Sequence, residues 1–128
     1  MGYVKEIIDR FLKIQDRFYR DVKEYTTGAD GRVSLLRVVG IDGDSVLLKY
    51  QYGRIRYANE NEEPVHIFRC TVDSFLNILS GDEDMREAIT KGHFVIEDAR
   101  DGNIDVVECE KWAKAFSRMR GILGRYFA

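Results

Sequence analysis

Residues 65–96 read VHIFRCTVDSFLNILSGDEDMREAITKGHFVI, and the hydrophobic period changes twice within them, into a pair of helices and out again. Val65 to Cys70 is a short run rich in β-branched and aromatic residues, the composition of a strand. Thr71 then offers a hydroxyl to cap a helix over Val72 to Ser80, with Phe75, Ile78 and Leu79 on one face and Gly81 just past the end. Asp82, Glu83 and Asp84 complement the positive end of a second short helix, in which Met85, Ala88 and Ile89 make the apolar stripe and Lys91-Gly92 the stop. His93 to Ile96 returns to strand. Strand, two short helices and strand within 32 residues describe helices packed on a sheet, an α+β arrangement.

Working outward, Arg32 to Val39 and Ser45 to Tyr52 are strands joined at Ile41-Asp42-Gly43-Asp44, where Asp-Gly supplies the positive φ of a tight hairpin turn. Arg54 to Ala58 alternates as a third strand after a turn at Gly53, and Asn59 to Pro64 is a polar turn. Upstream, Val4, Ile7, Ile8, Phe11, Ile14, Phe18, Val22 and Tyr25 fall on one helical stripe, so a helix is expected from Tyr3 to Tyr25, ending at Thr26-Thr27-Gly28. Downstream, Ile104 to Val107 suits a sixth strand or a helix lead-in. Cys109 to Phe127 is an amphipathic helix with the stripe Trp112, Phe116, Met119, Leu123 and Phe127, weakened by about 1 kcal/mol at each of Gly121 and Gly124. The reading is one domain over residues 1–128: a single-layer, mostly antiparallel five-stranded sheet covered by helices, with an N-terminal helix and a C-terminal amphipathic helix.

Composition narrows the function. At 128 residues, 45% apolar and 33% charged, the chain can bury roughly two-thirds of its unfolded surface without disulfides or a structural metal. No apolar window approaches a membrane span, and Lys5, Glu6, Asp9 and Arg10 replace the apolar block of a signal peptide, so a cytoplasmic location is expected. Cys70 and Cys109 stand alone, as thiols of a reducing compartment do. Residues 111–128 hold five cations and no acid, which leaves −7 on the other 110 residues. An acidic body without a nucleic-acid motif argues against nucleic-acid binding. The basic tail is expected to pack its stripe on the sheet, with peripheral contact to anionic membrane through residues 111–128 as its surface role.

No catalytic signature is present: no phosphate loop, dinucleotide fingerprint, zinc-helix motif or nucleophile elbow. His66 and His93 sit inside expected strands without a positioned nucleophile or metal. Cys70 shares a strand face with His66, but about 13 Å away along an extended chain. Asp98, Asp101, Asn103 and Asp105 miss the spacing of a calcium loop and read as a solvated turn. We therefore expect no enzyme, no catalytic residues, no cofactor and no metal.

Residues 65–96 also resemble the sterol carrier protein type 2 family. That family's recurring pattern is a helix, Gly, six residues, Ala, three residues, Gly, then an alternating apolar strand. Gly81, Ala88 and Gly92 stand at this spacing, followed by Phe94 and Ile96, and Ile89 takes the apolar position after the Ala. The order of elements outside this stretch agrees. Asp84 and Met85 stand where the family often has a proline, and Asp98 where it often has a glycine.

The resemblance implies an apolar tunnel of several hundred Å³ between sheet and helices, holding a lipid or fatty-acyl-like small molecule, with the C-terminal helix as a detachable lid. The implied ligand contacts are Phe75, Leu79, Met85, Ile89, Phe94, Ile96, Trp112, Phe116 and Met119. The expected function is non-catalytic lipid binding by a carrier. Its alternative is a filled-core interaction domain that docks a protein partner or anionic membrane through its helices.

Overall fold

The computed structural model describes residues 2–17, 23 and 31–127. In chain order the elements are α1 (Tyr3–Ile14), a 3-10 turn (Gln15–Arg17), β1 (Val33–Val39), β2 (Asp44–Gln51), β3 (Arg54–Tyr57) and β4 (His66–Thr71). They are followed by α2 (Val72–Ser80), α3 (Met85–Thr90), β5 (Phe94–Asp98) and α4 (Val106–Phe127). The expected continuation of the first helix through Phe18, Val22 and Tyr25, and its cap at Thr26-Thr27-Gly28, lie outside the described residues.

The five strands form one sheet in the order β3-β2-β1-β4-β5. β1 and β2 pair antiparallel, as do β2 and β3, and β4 and β5. β1 and β4 pair parallel, Leu36 opposite Phe68 and Val38 opposite Cys70. The sheet is thus mixed although mostly antiparallel, because the chain leaves β3 at one edge and returns on the far side of β1. Side chains alternate between faces along a strand. Leu36, Val38, Val46, Tyr50, Cys70, Phe94 and Ile96 consequently meet α1, α2, α3 and α4 in one buried cluster.

The local signals at 65–96 are realised in the caps. Thr71 Oγ1 accepts from Ser74 N at 3.1 Å, and Asp84 Oδ1 accepts from Arg86 N at 3.3 Å. In the hairpin, the positive φ falls on Gly40 and Asp42 and not on Gly43. Gly43 is needed for space, since a Cβ there would meet the Val38 carbonyl oxygen at 2.3 Å. Ile104 makes a single bridge to Glu97 and α4 starts two residues later, so the ambiguous segment is a brief sheet contact and then helix.

Where α2 ends, Gly81 adopts φ +83°, and a Cβ on it would lie 3.1 Å from the Arg120 carbonyl oxygen and 3.3 Å from Gly124 Cα. Gly124, which weakens α4 taken alone, is what lets α4 cross the end of α2 this closely; its own Cβ would sit 3.3 Å from the Ser80 carbonyl oxygen. Gly81→Ala combines a left-handed backbone with this crowding and is expected to cost about 1–3 kcal/mol of stability. Urea unfolding with an unchanged slope would report it as a lowered midpoint. No helix among the described residues is long and apolar enough to cross a membrane.

Candidate ligand-binding site

Between the helix-bearing face of the sheet and the helices lies a cavity of about 100 Å³. The sheet supplies its floor: Leu36 and Ser34 from β1, Leu48 and Tyr50 from β2, Ile55 from β3 and Phe68 from β4. Ile8, Phe11 and Leu12 of α1 form the roof, and Ile78 joins from α2. Six of the nine residues singled out from the sequence line it too: Phe75, Leu79, Met85, Phe94, Trp112 and Phe116. The other three do not. Ile96 and Met119 are packed in the solid part of the core, and Ile89 lies partly buried against it.

The aromatic rings are arranged edge to face. Phe68 is 6.2 Å from Phe94 and 5.7 Å from Trp112, ring centre to ring centre, and Tyr50 is 5.4 Å from Trp112. Phe11 of the roof stacks on Phe116 at 6.3 Å. Such pairs favour offset or perpendicular contact.

The roof is fastened at its rim by polar groups. The Gln15 side chain donates to the Ile55 carbonyl at 2.8 Å and accepts from the Ile55 N–H at 2.7 Å, covering the exposed edge of β3. Tyr57 donates to Asp9, whose carboxyl is held below its usual value chiefly by that bond. Arg54 pairs with Asp16, and Arg10 donates to the Tyr126 carbonyl at 2.7 Å. Partly exposed links of this kind are individually weak.

α4 is held differently. Cys109, Trp112, Ala113, Ala115, Met119 and Leu123 are all buried. At its start the buried Glu108 carboxylate accepts from Trp112 Nε1 at 3.0 Å and from Arg32 at 2.5 Å. Asp105 accepts from Glu108 N at 3.1 Å and lies 3.0 Å from Nε2 of buried His66. The backbone N–H of Glu108 first, and His66 after it, hold the Asp105 carboxyl below its usual range. The C-terminal helix is therefore an integral core element and not the detachable lid that the resemblance implied. Its apolar stripe penetrates to the centre of the domain.

The groups considered for chemistry are occupied elsewhere. Burial pushes the Cys70 thiol up to about 12, far from the thiolate needed for attack. Cys109 is also buried and raised by desolvation, and both thiols are free. His93 is exposed, just ahead of β5. In the Asp98–Asp105 turn, Asp98 pairs with Arg100 and Asp101 accepts from Asn103 N. Among the described residues no three His, Cys, Asp or Glu side chains are grouped to hold a metal ion.

Sheet and roof residues escaped the sequence reading, although the alternation of Leu48 and Tyr50 and the stripe through Ile8 and Phe11 already placed them on inward faces.

No protein-family model matches the chain, and no curated protein matches it by sequence. Solved structures do. A UbiJ-SCP2 ubiquinone synthesis protein superposes with a TM-score of 0.62 at 13% identity, over 90% of this chain and 96% of the other. A conserved hypothetical protein from Thermus thermophilus gives 0.59 at 15% identity, over 93% and 82%. The palmitated sterol carrier protein 2-like 2 of Aedes aegypti gives 0.53 at 12% identity, over 80% and 93%. The chain is thus a single-sheet α+β protein with the sterol carrier protein 2 fold, as the pattern at Gly81, Ala88 and Gly92 implied. At these identities the likeness is one of fold.

Proposed function

We propose that the protein binds a lipid or another hydrophobic ligand in the cavity beneath α1 and carries it without catalysis. The observation that supports this most is the lining itself: Met and aromatic side chains, which adapt to irregular apolar guests, converge with aliphatic ones from four helices and five strands on one space. The fold points the same way, since a palmitated protein shares it. Phe75, Leu79, Met85, Phe94, Trp112 and Phe116 are the proposed contacts, with Ile89, Ile96 and Met119 supporting them from behind.

At about 100 Å³ the cavity is smaller than the several hundred Å³ expected, and below the roughly 300–1,000 Å³ usual for ligand pockets. Side chains of the lining fill part of the space, so a chain-length ligand enters by displacing the roof. Both α1, through Val4, Ile7, Ile8 and Phe11, and α4 enter the core. α1 is the shorter of the two, and its polar links to β3 are at the rim, so it is the element proposed to yield.

The two free buried cysteines suit a reducing compartment such as the cytoplasm. Contact of residues 111–128 with anionic membrane has less to draw on. Lys111 and Lys114 pair with Glu108 and Glu110, and Arg120 donates to the carbonyls of Gly81 and Asp82.

Native mass spectrometry of protein purified without detergent tests the proposal. A bound lipid mass is expected, and Leu36→Trp, which puts a ring into the floor of the cavity, should lose it while folding at a cost of about 1–3 kcal/mol. A clean apo mass together with no uptake of the neutral dye Nile red would overturn the carrier reading in favour of a filled-core interaction domain.

A further inference from the structure

The sheet has a second face, turned away from the helices, and its middle is apolar. Leu36, Tyr50, Phe68 and Ile96 meet the helices, so alternation turns Leu35, Lys49, Ile67 and Glu97 to the other side. Directly opposed residues of neighbouring strands share a face. The register therefore draws one row across this side: Leu47, Leu35, Ile67, Glu97 and, through the single bridge, Ile104. Val65 stands two residues before Ile67 on the same side. Val65 and Ile104 are 45% and 56% exposed, and Leu35, Leu47 and Ile67 are half-buried. A sheet face turned to water alternates to polar residues at such positions. β1 instead carries branched apolar side chains on both faces, the composition of a strand covered twice, while the four described helices lie on the opposite side.

Charges of opposite sign flank the row. The crossover from β3 to β4 lies over the Lys49 side of this face, where Glu62 meets the Lys49 ammonium at 2.7 Å. Its three carboxylates, Glu60, Glu62 and Glu63, outnumber Lys49 and its cross-strand neighbour Arg56 there. On the other side of the row, two residues further along β1 and β4, Arg37 and Arg69 stand side by side in register. Arg69 pairs with Glu97 at 3.0 Å. Arg37, Glu60 and Glu63 are exposed and make no ion pair among the described residues.

This pattern selects the occupant. The crossover repels an acidic protein or an anionic membrane, and Arg37 with Arg69 repels a basic protein. A second copy of the chain meets neither obstacle. A two-fold axis along the apolar row sets Leu35 and Ile67 of one copy against those of the other, and each Arg37 against the other copy's crossover. That is the self-complementarity of an isologous interface. We infer that the outer face of the sheet is an interface between two copies of this chain. Five strands about 4.8 Å apart and seven residues rising about 3.3 Å each give a face on the order of 500 Å² per copy. An interface of that size is at the low end of specific ones, so the dimer is weak and reversible. The cavity lies on the other side of the sheet and is left clear.

Sedimentation equilibrium of the full chain between about 5 and 500 µM, a span suited to a small interface, tests this. The mass should rise with concentration from 14.9 kDa towards twice that value. Arg37→Glu, at an exposed position outside the core, should weaken association about tenfold or more. Adding Glu60→Lys and Glu63→Lys to it exchanges the signs and should restore association to within about threefold of the wild-type protein. Thermal melts would confirm that both variants fold. A monomer at every concentration overturns the inference and gives the face to a different protein. A dimer indifferent to Arg37→Glu overturns it as well, and so does a triple variant no better than the single one. Flotation with phosphatidylserine vesicles that is lost in Arg37→Glu would overturn it in favour of a membrane.

Discussion

Removal of residues 108–128 is expected to leave a chain without a cooperative unfolding transition. The truncation discards Trp112, Met119 and Leu123, the last two 1% and 0% exposed. Replacing a single buried residue of these types by Ala costs about 2–5 kcal/mol. Three such losses together reach the whole margin of about 5–15 kcal/mol that keeps a domain folded. Arg120 leaves as well, and with it the donor to the Gly81 and Asp82 carbonyls just past the end of α2. Circular dichroism and a thermal melt would check this. A truncated protein with a sharp melt near that of the full chain would mean that α4 is a cover after all and that the opening lies there and not at α1.

Trp112→Ala should be the most damaging single substitution. The indole contacts Tyr50 and Phe68 edge to face and donates its N–H to buried Glu108. Its loss opens a void where sheet, cavity and α4 meet and removes a donor from a carboxylate that is only 4% exposed. About 3–5 kcal/mol is expected, a fall in melting temperature on the order of 10–20 °C for a domain of this size. Trp112→Phe separates the two causes: it keeps most of the packing but leaves Glu108 to Arg32 and Lys111, and should cost about 1–2 kcal/mol. Equal losses in the two variants would show that the hydrogen bond, and not the ring, dominates.

Much of the architecture was legible in the order of residues. The period along Val4 to Ile14, the cap at Thr71, the Gly81 stop and the hairpin at Asp42 are local matters, each decided by neighbours within a turn or two of chain. The pattern at Gly81, Ala88 and Gly92 was legible for a related reason. Gly81 and Gly92 follow helix ends at positive φ, and Ala88 is a fully buried position inside α3, where a larger side chain has no room.

The candidate site was half legible. Phe75, Met85, Phe94 and Trp112 were recognisable as inward-facing, yet so were Ile96 and Met119, and only the fold separates wall from core. Periodicity tells which face a residue occupies and nothing about whether the space before it is filled. Phe11 and Leu48 were equally inward, but belong to segments far from the motif in sequence.

What the sequence alone determined was the elements, their caps and their apolar faces, because these follow from backbone geometry and the spacing of side chains over a few residues. Tertiary structure alone decided the parallel pairing of β1 with β4, the placing of α1 as roof and α4 as core, and the cavity itself. Those depend on how surfaces far apart in the chain pack, and there a shift of a few ångströms decides whether an apolar residue borders a void or fills one.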